Sequence, residues 1–396
     1  MYRLLVLTFG TFAVGTDAFV VAGILPDIAR SLDVRASTAG LLITVFALTY
    51  AVSSPVVAAT TASWPRRRLL IAGLLVLALG NVLTAVLPTA GLVLASRAVA
   101  GLGAGMFTPT ASSTASALVP AERRGRALAL VMAGLSAATA LGAPLGTVIG
   151  TQFAWQATLW FVAALAVLAA AGTALLMPAV APAPAVGLRT RLRPLTDPRV
   201  GFTLLTTLLV FTGLFTAYTY VAEVFDRATG GDGLTLAVLL SVWGVGAVVG
   251  SLAAGRLADR VPVRLILRTA IAVVAVDFAL MPLSSRYLVS SVVALFVWGV
   301  CGWATLVPLQ HRLIGLSPEH ATVSIGLNAS ATYLGTAASG VTGAAGIALF
   351  GAHGLGPFGL LFLLLGLGSS VLATRLIDDP SRGERALSLP EPEVSK

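Results

Sequence analysis

The feature that most limits how this chain can fold is a series of twelve mostly apolar runs, each long enough to cross a bilayer as a helix. They are Leu4–Leu25, Ser37–Thr60, Leu69–Leu87, Leu92–Leu118, Ala127–Ile149, Ala157–Met177, Gly201–Ala222, Thr235–Leu257, Leu265–Leu283, Tyr287–Leu309, Val323–Leu349 and Gly354–Leu376. A helical span needs about 20 such residues. Composition agrees, since 57% of the 396 residues are apolar and only 10% are charged, against about 25% charged in soluble domains. Residues 2–25 resemble a signal peptide, but Asp17 interrupts the run and many similar runs follow, so it is read as a retained first span.

Lys and Arg number 25 against 16 Asp and Glu. In a soluble protein that excess would raise nucleic acid as a partner. Here the basic residues sit in short polar breaks, where they report orientation instead. With the N-terminus inside, the inner breaks hold Arg66, Arg67, Arg68, Arg123, Arg124, Arg126, Arg189, Arg191, Arg193, Arg199, Arg256, Arg260, Arg264, Arg268 and Arg312. The outer breaks hold only Arg30, Arg35, Arg227 and Arg286. An even number of spans then places both termini in the cytoplasm. Cys301 is the single cysteine, and His311, His320 and His353 are scattered, so no disulfide and no metal site is expected.

The longest internal break, 178–200, contains Ala-Pro-Ala-Pro and several arginines and is read as a cytoplasmic linker. It divides the chain into residues 1–177 and 201–377, with a charged tail at 378–396. Sliding the sequence by about half its length lays Ser54, Pro65, Arg67 and Leu70 on Ser251, Pro262, Arg264 and Leu267. A parallel duplication of this kind is how two-bundle transporters are built. The predicted fold is an all-α membrane protein of twelve transmembrane helices in two pseudo-symmetric six-helix bundles.

Arg97 is the one charge in the run Leu92–Leu118. At the centre of a membrane helix such a cation costs about 2.5–3.5 kcal/mol on insertion scales. Four-residue spacing puts Arg97, Gly101 and Gly105 on one face, and small residues so spaced admit a close helix neighbour. The guanidinium is therefore expected inside the bundle and not in lipid.

Four stretches resemble the major facilitator superfamily, in particular its twelve-span drug:proton antiporters, over nearly the whole chain. Leu94-Ala-Ser-Arg97-Ala-Val-Ala-Gly101 is similar to the span-four signature whose arginine is linked to proton coupling. The run Gly134 to Gly150, with Gly142, Pro144 and Gly146, resembles the span-five antiporter signature. Gly15-Thr-Asp17 through Leu25-Pro26-Asp27 resembles the first span of chloramphenicol and sugar efflux members. Gly255-Arg-Leu-Ala-Asp259-Arg260, followed by Arg264, resembles the second-half copy of the inner-loop signature. The first-half copy departs from the pattern, with Ala62 where the family has aspartate.

Burial in low dielectric disfavours the charged form of a carboxyl, so Asp17 is expected to exchange a proton or hold a cationic or hydroxyl-bearing substrate. The bland alternative is an acid solvating a helix end. Arg97 is expected to hold a carboxylate, backbone carbonyls or substrate, against a purely structural role as a hydrogen-bond hub. Gly142, Pro144 and Gly146 are expected to form a packed hinge, and Gly255, Asp259, Arg260 and Arg264 a gating latch. Candidates for the substrate surface are Tyr50, Phe107, Phe215, Tyr218, Trp243, Asn328 and Tyr333. Asp277 is read as structural, while Glu223 is either an outer gate or an interface residue. Gly244-Val-Gly246-Ala-Val-Val-Gly250 imitates a dinucleotide fingerprint but follows no strand, so its glycines are read as helix-packing residues.

The expectation is a monomeric, multi-pass transporter of the cell membrane that exports small amphipathic compounds against protons. It would need no cofactor and would draw on the proton gradient and membrane potential. Its partners would be substrate, proton and lipid bilayer, with no nucleic acid. The alternatives are efflux of sugars or other metabolites by the same fold, and a polytopic membrane enzyme. The latter finds no nucleophile with an adjacent base, and no catalytic residues are assigned.

Overall fold

A computed structural model describes residues 2–61, 63–178, 187, 191–316 and 321–379. Ala62, residues 179–186 and 188–190 of the expected linker and nearly all of the expected tail lie outside the described residues. Among the described residues, twelve helices are long and apolar enough to span a membrane: α1 Tyr2–Gly23, α2 Ala36–Thr60, α3 Arg66–Val86, α4 Ala90–Ala117, α5 Arg124–Gln152 and α6 Trp155–Leu176, then α7 Pro198–Tyr218, α8 Gly233–Ala258, α9 Val263–Ser284, α10 Leu288–Leu316, α11 Val323–Phe350 and α12 Ala352–Asp378.

Most ends fall within a few residues of the apolar runs, and the departures have local causes. α1 stops at Gly23, and a short helix, Leu25–Ser31, restarts with Pro26 in its first turn, where proline's missing donor costs nothing. α7 stops at Tyr218, before a turn and the short helix Val221–Val224. α10 continues beyond its apolar run through His311 and Arg312 to Leu316. Within α5, residues Ala138–Gly142 form a π-helical turn immediately before Pro144. Proline has no N–H to offer the carbonyl four residues back, and a widened turn is one way a helix absorbs that loss.

Helices pack in a pattern that repeats after six. In the first half α1 packs on α5 and α6, α2 on α4, and α3 on α4 and α6. In the second half α7 packs on α11 and α12, α8 on α10, and α9 on α10 and α12. The halves meet along two seams that exchange under the same shift, α2 against α11 and α5 against α8. Two pseudo-symmetric six-helix bundles are thus present, as the internal similarity predicts.

Small residues set the close approaches. A Cβ at Gly101 would lie 2.4 Å from the Phe46 carbonyl oxygen of α2, and one at Gly105 2.4 Å from Ser53 Oγ. The glycine face of α4 is therefore the groove that seats α2. At the α5–α8 seam a Cβ at Gly244 would lie 2.2 Å from the Thr139 carbonyl oxygen, beside the π turn, which makes it a packing residue.

The two halves are pressed together at one end. On the α2–α11 seam Thr44 Oγ1 donates to the Ala337 carbonyl over 2.8 Å, and the Tyr50 and Tyr333 rings stack with centroids 3.6 Å apart. The Tyr220 hydroxyl donates to the Gly340 carbonyl over 2.8 Å and lies against Gly40. The Tyr50–Tyr333 stack lies near mid-helix, and the Thr44 and Tyr220 contacts fall in the helix halves remote from the arginine-rich end. At that end a Cβ on Gly125, Gly255 or Gly326, one on each of three seam helices, would meet nothing within 4 Å.

Glu223 sits on the short helix that closes the tight end, with its Oε2 buried and unpartnered. Burial, with a smaller contribution from Asp226, pushes its carboxyl from 4.5 up to about 7, while His353 Nε2 and Asp226 Oδ1 pair at 2.7 Å nearby. Because the folded protein holds this proton more tightly, Glu223 costs stability as pH rises from about 4.5 to 7. Glu223→Gln is expected to match the wild type in unfolding temperature at low pH and exceed it above pH 7. Gly101→Val should lower the unfolding temperature, since overpacking a backbone contact costs about 1–3 kcal/mol.

Candidate functional site

Four helices of the first half converge on one buried ion pair. Asp17 on α1 and Arg97 on α4 are 0% and 1% exposed, and Arg97 Nη1 donates to Asp17 Oδ1 over 2.8 Å. Asn81 on α3 donates through Nδ2 to Asp17 Oδ2 over 3.1 Å. Its Oδ1 in turn accepts from Arg97 Nη1 at 3.4 Å. The guanidinium carbon lies 4.7 Å from the centre of the Phe46 ring on α2, a cation–π contact. Arg97 Nε is buried without a partner. Alongside, the Thr84 and Ser96 hydroxyls pair over 2.7 Å and tie α3 to α4.

Asp17 therefore does not solvate a helix end. It is enclosed by protein on every side, and its pair with Arg97 lies inside the first half, sealed from lipid. A buried pair gains little over apolar packing, but removing one partner costs about 3–5 kcal/mol. The constellation is thus stable only while both charges are present.

Phe19 lies two residues beyond Asp17, about 200° around α1, and projects into the second half. Its ring centroid is 6.0–6.1 Å from those of Phe215, Tyr218, Trp243 and Trp303. Tyr218 also donates to the Phe19 carbonyl over 3.3 Å. Trp298 supports the cage from behind, edge-on to Trp243 and Tyr218. The Trp243 indole N–H is buried and has no acceptor. The void beside these rings is about 10 Å³, at the limit for a single water, so the rings pack with Phe19 without room for a ligand.

Of the residues expected to face substrate, Phe215, Tyr218 and Trp243 come together in this cage. Tyr50 and Tyr333 meet in the stack on the α2–α11 seam, and Phe46, one turn from Tyr50, carries that seam back to Arg97. Phe107 turns away, because its ring is fully buried in the first half's own core against Gly10 of α1. Asn328 is also internal to one half, with Oδ1 accepting from Thr207 Oγ1 over 2.7 Å between α7 and α11. Gly142 and Gly146 bring α5 against Thr16 and Val20 of α1, on either side of buried Pro144. Asp259 and Arg260 are exposed where α8 ends, and Arg264 pairs at 3.6 Å with Asp378 of α12 and not with Asp259.

Sequence reading missed Asn81, Phe46, Phe19 and Trp303. Asn81 carried a usable signal, an amide in the middle of an apolar run. The three aromatics carried none, since rings are common in any membrane helix.

The model of the Major Facilitator Superfamily matches residues 7–340. The chain is 34% identical over 339 residues to a chloramphenicol resistance protein of Streptomyces lividans, covering 83% of this chain and 86% of the relative. It is 31% identical over 344 residues to the inner membrane transport protein YdhP of Escherichia coli K12, with 87% and 88% covered. A probable sugar efflux transporter of Mannheimia succiniciproducens is 28% identical over 346 residues, with 87% and 85% covered. Among solved structures, a bacterial homolog of the human lysosomal transporter Spinster, in an inward-facing and unoccupied conformation, aligns with a TM-score of 0.75 at 17% identity. That alignment covers 94% of this chain and 96% of the other. By sequence, helix pairing and overall fold, the chain belongs to the major facilitator superfamily and is a multi-pass membrane transporter.

Proposed function

We propose that the protein exports small amphipathic compounds in exchange for protons, by alternating access between its two halves. One observation carries this reading: α1 grips the buried Arg97 through Asp17 on one face and fills the second half's aromatic cage with Phe19 on the other. The relative from Streptomyces lividans, named for chloramphenicol resistance, supports the substrate class.

A proton arriving at Asp17 removes the negative partner of Arg97. The guanidinium is left with the Asn81 carbonyl and the Phe46 face, too little for a buried cation. The imbalance favours a shift of α1 relative to α3 and α4, and a shifted α1 carries Phe19 with it. The emptied cage then offers flat apolar faces to a ligand, with the free Trp243 N–H as a polar handle. Proton and substrate thus act on one helix, α1, which couples the two movements. The π turn and Pro144 give α5, which packs on both α1 and α8, a place to flex.

In this scheme the protein sits in the cell membrane as a monomer with its arginine-rich end in the cytoplasm. Asp259, Arg260 and Arg264 would engage when that end closes. One charge crossing 100 mV releases about 2.3 kcal/mol, which sustains roughly a fifty-fold substrate gradient. No cofactor is needed.

In cells expressing the chain, resistance to amphipathic antibiotics is expected to rise and to vanish with an uncoupler. Sugar efflux without resistance would favour the class named for the Mannheimia relative. In vesicles Asp17→Asn should abolish drug-driven proton movement, and unchanged movement would remove Asp17 from the proton path. Arg97→Lys keeps the charge but loses the planar fork. Transport should fall by about ten-fold or more, the equivalent of one charge-assisted hydrogen bond. Phe19→Ala should tighten binding of a planar aromatic substrate while slowing its turnover, and weaker binding would count against self-occupancy of the cage.

A further inference from the structure

Asp277 stands outside everything described so far. It lies within α9, well away from both helix ends. Its Oδ2 is buried without a hydrogen-bond partner, although a structural carboxylate in a membrane helix normally has one. The residues around it are Ala272, Val273, Val276 and Leu280 of α9 and Val297 of α10, which together line an open groove of about 390 Å³. Val273, Val276 and Leu280 are 40%, 60% and 51% exposed on a spanning helix, so this groove opens toward the acyl chains and not toward the seam between the halves. Cys301, the single cysteine, follows Val297 by four residues on the same face of α10.

We infer that the α9–α10 groove is a lipid-facing binding site for an aliphatic ammonium, with the cationic head on Asp277 and the chain along the valine and leucine wall. The groove's volume lies within the range of small-molecule sites, and its walls are as apolar as the tail of such a ligand. The one polar group in it is an acceptor with no donor. A primary ammonium supplies a counter-charge and a donor together, which is what an unpaired carboxylate in hydrocarbon lacks. A neutral lipid tail would satisfy the walls and leave the carboxylate unpaired, and an anion would add like charge. A compound taken from the bilayer leaflet would meet this site before reaching the cage, which α10 separates from it.

The test uses the full chain in nanodiscs with radiolabelled decylamine, compared with protein-free nanodiscs to remove bulk partitioning. One saturable site per chain is expected in the wild type and in Asp17→Asn. Affinity should fall about ten-fold or more in Asp277→Asn, the effect of one hydrogen bond between charged groups, and in Val297→Trp, which fills the groove and leaves the carboxyl in place. Unlabelled decylamine should also slow alkylation of Cys301 by N-ethylmaleimide, whereas decanol should not. Saturable binding that survives in both groove variants, or is lost only in Asp17→Asn, would assign the amine to the central site and overturn the inference. So would the absence of saturable binding, or decanol protecting Cys301 as well as the amine does.

Discussion

The structure depends on one electrostatic constraint, that a guanidinium and a carboxyl placed in apolar helices must satisfy each other. Arg97 and Asp17 do so at 2.8 Å with almost no exposure, and their union dictates which faces of α1 and α4 turn inward. Gly101 and Gly105, on the same face as Arg97, then bring α2 close enough for Phe46 to lie over the cation. Asn81 completes the set from α3. Each helix of this cluster is oriented by a polar or aromatic group that has no satisfactory place in lipid.

The second half holds no counterpart of this ion pair among its described residues. It answers with an aromatic cage and with hydroxyl and amide pairs such as Thr207–Asn328 and Thr219–Ser339. The halves repeat in backbone and diverge in chemistry: one holds charge, the other holds rings. α1 joins the two chemistries, which is why two residues only two positions apart along the chain serve different bundles.

Much of the fold was legible in the sequence because lipid imposes a length and a polarity on every spanning element. The twelve runs, the repeat and the inward-facing Arg97 all follow from that one condition. The helix ends at Gly23, Tyr218 and Leu316 were less legible, because they depend on turns and end packing rather than on hydropathy. The site was half legible. A charge among apolar residues announces itself, as Asp17 and Arg97 do, and so does an amide such as Asn81. An aromatic ring does not, because the same side chain serves core packing at Phe107 and the meeting of two bundles at Phe19. Only the direction of the side chain separates those cases, and direction comes from the packing of several helices together.

Phe19 in its cage has a consequence for selectivity. A transporter that carries its own occupant makes every guest compete with a tethered benzyl group, whose effective concentration is fixed by the helix backbone. Compounds that cannot outdo a phenylalanine side chain in ring contact would then enter only at correspondingly higher concentration. Those that can would be admitted with little regard to the rest of their structure. Breadth toward planar molecules, and indifference toward small polar nutrients, would then come from one threshold rather than from a detailed template.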